Sequence, residues 1–233
     1  MKPSRSNPSH RRFKTPTFFA TYKKRDVFVK LVDRGSAEFA LWCHCKRKEL
    51  GLYTKKTHVF RNTKMTFDYL EMAPETYTLA ERNINALIRD NQGVVDVLMV
   101  DQVENGLSLC EAIKQGAPID LLELMKILLF RRHVQSTDTN SSNIVVSPDG
   151  RCLSVDENQV TSKTLERWET LTNPKTVFTA QKNANFPVSF LTSLKRFVSE
   201  NERPLMEFLV KMRVTVEGDL DWNFSVSEIL TCL

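Results

Sequence analysis

The sequence predicts an α+β chain in two lobes, with a β-rich first part and a mainly helical second part. Short β-rich segments separated by turn residues occupy much of the first hundred residues. The stretch 119–133 then carries a dense apolar pattern without Gly or Pro, which predicts a buried helix. A break at 104–106, Glu-Asn-Gly, separates the two parts.

The predicted organisation is a basic flexible arm over 1–16, a first lobe over 17–104 and a second lobe over 105–233. The formal net charge is +5, and the first 24 residues hold several Lys and Arg but no acid. Such an arm can contact nucleic acid, an anionic membrane surface or an acidic partner. A solvated terminus without a partner explains the composition equally well.

No apolar run approaches the roughly 18 residues that span a bilayer, and the N-terminus lacks a secretory segment. We therefore expect an intracellular protein, cytoplasmic or nuclear. The five cysteines are odd in number and sparse, as expected for reduced thiols. A zinc site at Cys43-His44-Cys45 is an alternative, although Cys-x-Cys differs from the usual zinc-knuckle spacing.

In the first lobe, Thr17–Tyr22 and 27–32 predict a hairpin. Lys30 falls between two apolar residues on one face of the second strand. Ser36 is the predicted N-cap of a helix over 37–50. Three further elements follow in order, namely an ambiguous strand, a helix and a buried strand, over 59–72, 77–90 and 94–100.

In the second lobe, a short helix over 107–115 precedes the long apolar helix. The turn Ser147-Pro148-Asp149-Gly150 then predicts a β-hairpin between 144–146 and 152–155. Helical spacing of apolar residues returns over 190–201 and 204–214.

Three polar side chains cluster around this hairpin. Asp138 lies in the polar loop that follows the long helix, Asn143 opens the hairpin and Asp156 closes it. With a four-residue turn, Asn143 pairs with Ser154, which places Asp156 on the same face two residues further on. An amide oxygen and a carboxylate suit Mg²⁺, and Asp138 could accept a proton from an attacking hydroxyl.

These residues resemble the protein-kinase-like superfamily, whose catalytic loop reads H-R-D-x-x-x-x-N before a metal-binding Asp. The resemblance implies a small β-rich lobe and a mainly helical lobe that bind ATP and Mg²⁺. By this resemblance Asp138 is the catalytic base, whereas Asn143 and Asp156 bind the metal ion.

The resemblance extends upstream over about 17–160. Val27-Phe28-Val29-Lys30 is similar to the family's V-A-I-K strand, so that Lys30 would hold the α- and β-phosphates. Its implied ion-pair partner is Glu49, with Glu38 as the alternative. Backbone groups of Gln102, Val103 and Glu104 would contact adenine.

Several motifs depart from the family. Ser136-Thr137 replaces His-Arg, Asp156-Glu157-Asn158 replaces Asp-Phe-Gly, and no glycine-rich loop precedes Lys30. The basic arm is an alternative source of phosphate contacts. The loop also resembles the phosphoinositide-kinase branch and short kinase-like proteins of large DNA viruses, which implies a possible association with virions.

Three functions are compatible with these residues. The first is ATP-dependent phosphate transfer to a protein or lipid hydroxyl. The second is a pseudokinase scaffold, favoured by the missing glycine loop and the altered Asp-Glu-Asn motif. The third is a nucleic-acid-binding or virion-associated protein, based on the basic arm.

Overall fold

The computed structural model describes residues 2–3, 17–64, 94–134, 143–155 and 188–216. The chain divides into two compact units. The first comprises Met1–Leu41 and Lys55–Gln102, and the second comprises Trp42–Thr54 and Val103–Leu233. An antiparallel sheet forms early in the chain and most helices come later, so the α+β prediction is confirmed at this level.

The first unit contains a five-stranded antiparallel sheet. Its spatial order is β1-β2-β3-β5-β4. The strands are β1 (Lys2–Pro3), β2 (Thr17–Tyr22), β3 (Arg25–Val32), β4 (Thr57–Lys64) and β5 (Val94–Asp101). Strand β1 lies within the segment predicted as a flexible arm, and it pairs Lys2 with Thr21. The predicted helix over 77–90 lies outside the described residues.

Strand β3 is buried on alternate residues, as the predicted hairpin requires. Val27, Val29 and Leu31 are each at most 1% exposed and form one apolar cluster with β5 residues such as Met99. On the other face Val32 packs with Leu98 and with the first helix of the chain. Both faces of the sheet centre are therefore apolar, as expected for a central strand that is covered on each side.

Helix α1 (Arg34–Leu50) follows β3 directly, and it starts earlier than predicted. Asp33, rather than Ser36, caps its first turn, because the Asp33 Oδ1 atom accepts the Ser36 N–H at 2.9 Å. Burial is the largest single effect on the pKa of Asp33 and raises it, but hydrogen bonds from Ser36 and neighbouring backbone groups together lower it below its usual value. Ala37 packs against Val32, so the start of α1 covers this face of the sheet.

Strand β4 is an edge strand and carries a bulge between Phe60 and Thr63. Asn62 adopts a left-handed conformation there, with φ 54°. Its N–H donates to the buried carboxylate of Asp96 on β5 at 2.9 Å. The Asp96 side chain therefore holds the bulge in place.

The second unit combines a small three-stranded sheet, in the order β6-β7-β8, with helices. Its elements are β6 (Leu107–Ser108), α2 (Leu109–Gln115), α3 (Leu121–His133), β7 (Ile144–Val146), β8 (Cys152–Ser154), α4 (Val188–Glu200) and α5 (Glu202–Thr215). Ser108 and Glu111 form a reciprocal capping box at the start of α2.

The prediction of a buried helix is confirmed by α3. Leu124, Met125, Ile127 and Phe130 are fully buried. Helix α5 packs against α3 through an apolar stripe that includes Phe208 and Met212. Among the described residues, no helix combines the length and hydropathy needed to cross a membrane.

Gly106 precedes β6 at a point of close packing. A Cβ atom built there would lie 2.8 Å from Val145 Cγ1 and 2.9 Å from Val103 Cβ. Only glycine fits without movement of these side chains. The Glu-Asn-Gly break therefore has a steric role where the chain enters the second unit.

His133, the last residue of α3, makes stability depend on pH. Burial lowers its pKa to about 4, with a backbone hydrogen bond to Val216 acting in the opposite direction. The unfolded chain binds this proton below about pH 6.5, whereas the folded chain excludes it. The contribution of neutral His133 to the free energy of unfolding is thus fully present above pH 6.5 and is lost as the pH falls toward 4.

We expect the free energy of unfolding to fall by on the order of 1 kcal/mol between pH 7 and pH 5 because of this residue. Urea denaturation of the parent and of His133→Gln at both pH values measures the effect. The difference in unfolding free energy between pH 7 and pH 5 should be smaller in the variant than in the parent. An equal pH dependence in both proteins would contradict this role of His133.

Candidate nucleotide and metal site

The side chain of Lys30 lies on the face of the sheet that α1 covers. Lys30 is paired in register with Leu98 of β5, and Leu98 packs with Val32 and Ala37. The opposite face of β3 is occupied by the apolar cluster around Val29. Lys30 is therefore half-buried beside apolar side chains of the sheet, where its charge interacts more strongly with an anion than it would in bulk water.

The two acids predicted as partners of Lys30 bind other basic residues. Glu49 Oε2 lies 3.0 Å from Lys46 Nζ, one turn earlier on α1. Glu38 Oε1 lies 3.7 Å from Arg61 on β4. Both carboxylates are half exposed. An ion pair between Lys30 and Glu49 stays a prediction.

The predicted adenine-binding segment lies where the chain passes from the first unit to the second, at Gln102 and Val103. The Gln102 N–H donates to the Asp26 carbonyl at 2.9 Å. Val103 is buried, and its carbonyl accepts the Gly106 N–H at 3.1 Å. Glu104 is exposed. The N–H of Gln102 is thus committed within the first unit, and an adenine contact would need other groups of 102–104.

The predicted hairpin forms, but its predicted register is wrong by one residue. Ile144 pairs with Ser154, and the Val155 N–H donates to the Asn143 carbonyl at 2.8 Å. The turn is longer than predicted because Gly150 adopts a left-handed conformation, with φ 85°, which adds a residue to the loop. Asn143 is therefore opposite Val155 rather than Ser154.

This register changes one step of the sequence reasoning. In a continued strand, Asp156 would point away from the face that Asn143 shares with Val155. Simple alternation therefore does not place the two predicted metal ligands together. Asp156 and Asp138 both lie outside the described residues.

Asn143 itself has the features of a ligand-binding residue. Its side-chain Nδ2 atom is buried and finds no hydrogen-bond partner in the part of the chain that the structure describes. A buried amide without a partner is unfavourable, and native proteins rarely keep one without a reason. The start of β7 is thus a polar position suited to a bound group.

Two buried arginines, which the sequence reasoning missed, hold the end of β8. Arg47 of α1 donates to the Ser154 carbonyl at 2.8 Å. Arg131 of α3 donates to Ser154 Oγ at 2.8 Å and to the Val155 carbonyl at 3.1 Å. Both side chains are at most 5% exposed. They fix the backbone immediately before Asp156.

A second buried network, centred on Glu123 of α3, holds the other end of the hairpin. Its carboxylate accepts hydrogen bonds from Arg151 Nε at 2.8 Å and from the Cys152 N–H at 2.9 Å. It also accepts the N–H of Tyr53, which follows α1, at 2.9 Å. Hydrogen bonding to Glu123 raises the pKa of Arg151. Glu123 thus connects α3, the hairpin and the segment after α1.

The cysteines do not form a metal site among the described residues. Cys43 is buried and Cys45 is exposed, so α1 directs the two thiols to different sides. Burial raises the pKa of Cys152 to about 12, which keeps that thiol protonated. No group of three or more His, Cys, Asp or Glu side chains converges in the described ranges.

No protein-family model matches the chain, and no curated protein matches its sequence. Among the solved structures that are similar to it in their coordinates are WaaP and a PAN3 pseudokinase. WaaP, solved in complex with acyl carrier protein, has a TM-score of 0.45 at 12% identity, over 90% of this chain and 88% of WaaP. The PAN3 pseudokinase of Drosophila melanogaster has a TM-score of 0.31 at 12% identity, over 97% of this chain and 63% of PAN3.

Proposed function

We propose that this chain is a divergent kinase-like protein that binds Mg-ATP and transfers phosphate to a protein or lipid hydroxyl. The observation that carries the proposal is Asn143, which directly precedes β7: its buried side-chain Nδ2 atom finds no hydrogen-bond partner among the described residues, as expected where an acceptor such as a phosphate oxygen binds. Its position five residues after Asp138 follows the spacing of a kinase catalytic loop. The order of β3, α1, β4 and β5 in the first unit also agrees with a kinase-like small lobe.

In this proposal Asn143 and Asp156 hold Mg²⁺, which supplies charge neutralisation for the bound phosphates. The hairpin register requires the chain to leave strand geometry after Val155 if Asp156 is to join Asn143. Arg47 and Arg131 bind the backbone at this point. They are therefore candidates for residues that determine the direction of the chain there.

Lys30 would bind the α- and β-phosphates from its half-buried position on β3. Asp138 would orient the acceptor hydroxyl and accept its proton. Most of the rate enhancement would come from positioning and charge stabilisation, since phosphate transfer needs little covalent chemistry from the protein.

A pseudokinase scaffold is the second candidate, and two observations favour it. Two connections precede Lys30, the segment 4–16 and the turn at Lys23 and Lys24, and neither contains glycine. The Gln102 N–H is also already bonded to Asp26. Both features reduce the backbone donors that a kinase-like site offers to a nucleotide.

The Asp156→Ala variant separates a nucleotide-binding protein from an unrelated fold. We expect the parent to release heat when titrated with Mg-ATP, and the variant to bind at least tenfold more weakly, because one of two metal ligands is lost. Far-ultraviolet circular dichroism should be unchanged. The matched control is Asp149→Asn, an exposed acid in the hairpin turn whose replacement can still accept the Ser147 hydroxyl.

If the parent releases no heat at millimolar Mg-ATP, the kinase-like proposal is contradicted. Equal affinities in parent and Asp156→Ala would remove the metal-ligand role of Asp156. Binding by the parent without phosphate transfer to any protein or lipid acceptor would favour the scaffold.

A further inference from the structure

The positive charge of the chain resides in the first unit. This unit contains sixteen Lys and Arg against ten Asp and Glu, whereas the second contains seventeen against eighteen. The asymmetry predicts that an anionic partner binds the first unit. A kinase-like nucleotide site does not by itself explain an excess on this scale.

The turn between β2 and β3 places two lysines where the backbone favours other residues. Lys23 and Lys24 have φ values of 48° and 65° and form a two-residue hairpin loop. Positive φ at both positions defines the type I′ turn, which strongly favours Asn-Gly. Both lysines are exposed. The sequence therefore departs from its best turn residues at a position where the side chains meet solvent, which is typical of a functional surface.

Aromatic rings lie beside this turn. The ring centroids of Tyr22 and Phe60 are 5.9 Å apart, and His58 lies 6.3 Å from Tyr22. Lys23 Nζ lies 5.2 Å from the centre of the Tyr22 ring. Phe60 is 39% exposed, a high value for a large apolar side chain. Rings that cover the sheet thus meet solvent next to basic side chains.

Two more lysines lie at the end of the sheet that carries the β2–β3 turn. Lys55 and Lys56 directly precede β4, and the Lys56 carbonyl accepts the Asp101 N–H at 2.9 Å. Asp101 in turn binds Arg25 at 3.1 Å. The other nearby acid, Asp26, accepts a hydrogen bond from Thr21 and keeps its charge, so the basic residues outnumber the acids here. The four lysines therefore dominate the charge at this end.

We propose that this surface, formed by Tyr22, Lys23, Lys24, Lys55, Lys56, His58 and Phe60, binds single-stranded nucleic acid. The lysines contact successive phosphates, and an unpaired base stacks on the exposed face of Phe60. Stacking on aromatic rings beside a basic strip is the general mode of single-strand binding, and it tolerates any base sequence. A duplex keeps its bases stacked internally, so its affinity rests on the lysines alone.

A substitution that improves the turn tests the proposal without risk to the fold. Lys23→Asn with Lys24→Gly supplies the preferred type I′ residues and removes two charges. We expect the thermal midpoint to rise or stay equal, while the affinity for a fluorescent 20-nucleotide oligouridylate falls roughly tenfold. The slope of log K against log salt should decrease in magnitude by about 1 to 1.5.

Two further variants complete the experiment. Phe60→Leu keeps an apolar side chain but removes the ring, and should weaken single-strand binding at least fivefold with the salt slope unchanged. The control, Lys114→Gln with Lys195→Gln, removes two exposed lysines from the second unit. It should leave the oligonucleotide affinity and the salt slope unchanged.

Several outcomes would overturn the proposal. One is a parent protein that does not bind the oligonucleotide at 50 mM salt. A second is a turn variant that binds the oligonucleotide as tightly as the parent. A third is a control variant that loses as much affinity as the turn variant. Binding to phosphatidylserine vesicles or to a polyglutamate peptide, without binding to the oligonucleotide, would assign the surface to a different partner.

Discussion

Replacing Glu123 by alanine is expected to lower the free energy of unfolding by about 2–4 kcal/mol, the largest stability effect we predict. The substitution removes the acceptor of two Arg151 hydrogen bonds, at 2.6 and 2.8 Å. It also leaves the N–H groups of Tyr53 and Cys152 without their carboxylate partner. The Cys152 N–H is buried and loses its hydrogen bond without regaining water, whereas the Arg151 side chain is 41% exposed and is partly rehydrated.

Chemical denaturation of Glu123→Ala and Glu123→Gln measures this effect. The glutamine variant should lose less, because its side-chain oxygen can still accept from one of the donors. Glu207→Gln is the matched control, since Glu207 forms an exposed ion pair with Arg203 at 3.0 Å. Exposed pairs of this kind contribute at most about 1 kcal/mol. A loss below 1 kcal/mol in Glu123→Ala would show that the network does not stabilise the hairpin.

The second large effect concerns the proposed catalytic base. Asp138→Asn is expected to lower the rate of phosphate transfer by roughly 10²- to 10⁴-fold, because the amide cannot accept the proton of the acceptor hydroxyl. Mg-ATP affinity should change little, since Asp138 is proposed to act on the acceptor rather than on the nucleotide. Transfer of the γ-phosphate and calorimetric titration together measure the two quantities.

The two measurements together distinguish a role of Asp138 in the chemical step from a role in nucleotide binding. Loss of transfer with retained binding assigns Asp138 to the chemical step. Loss of both would mean that Asp138 organises the nucleotide site instead, and unchanged transfer would exclude it as the base. The matched control is Asp149→Asn, an exposed acid of the hairpin turn whose replacement can still accept the Ser147 hydroxyl.

Much of the fold follows from local patterns in the sequence. The alternation of apolar residues in 27–32 correctly predicts the two faces of β3 and the position of Lys30 between apolar neighbours. The apolar density of 119–133 correctly predicts α3. Both predictions depend only on the period of the burial pattern, which neighbouring residues determine.

The errors arise where one residue's conformation decides the geometry. Gly150 could occupy either a four-residue turn or a longer one, and its left-handed conformation selects the longer turn. This shifts the pairing of Asn143 by one position. The prediction of Ser36 as the cap is wrong, because the helix begins earlier and the Asp33 carboxylate accepts the Ser36 N–H, which only the backbone geometry reveals.

The residues that support the hairpin could not be found from the sequence. Arg47 is 107 residues away from its partner Ser154, and Arg131 and Glu123 look like ordinary charged positions on helices. Their burial is a property of tertiary packing. The nearest signal is a charged residue within an otherwise apolar helix, as at Glu123.

The bulge in β4 has a consequence for self-association. An edge strand exposes backbone donors and acceptors on which another chain can extend the ladder, which is a common route to aggregates. Beyond Phe60 the left-handed residue at Asn62 interrupts that regular row, and the exposed Arg61 adds a charge next to it. At the opposite border β1 is only two residues long. In the part of the chain that the structure describes, neither border therefore offers a long, regular template, and we expect the sheet to resist growth into fibrils.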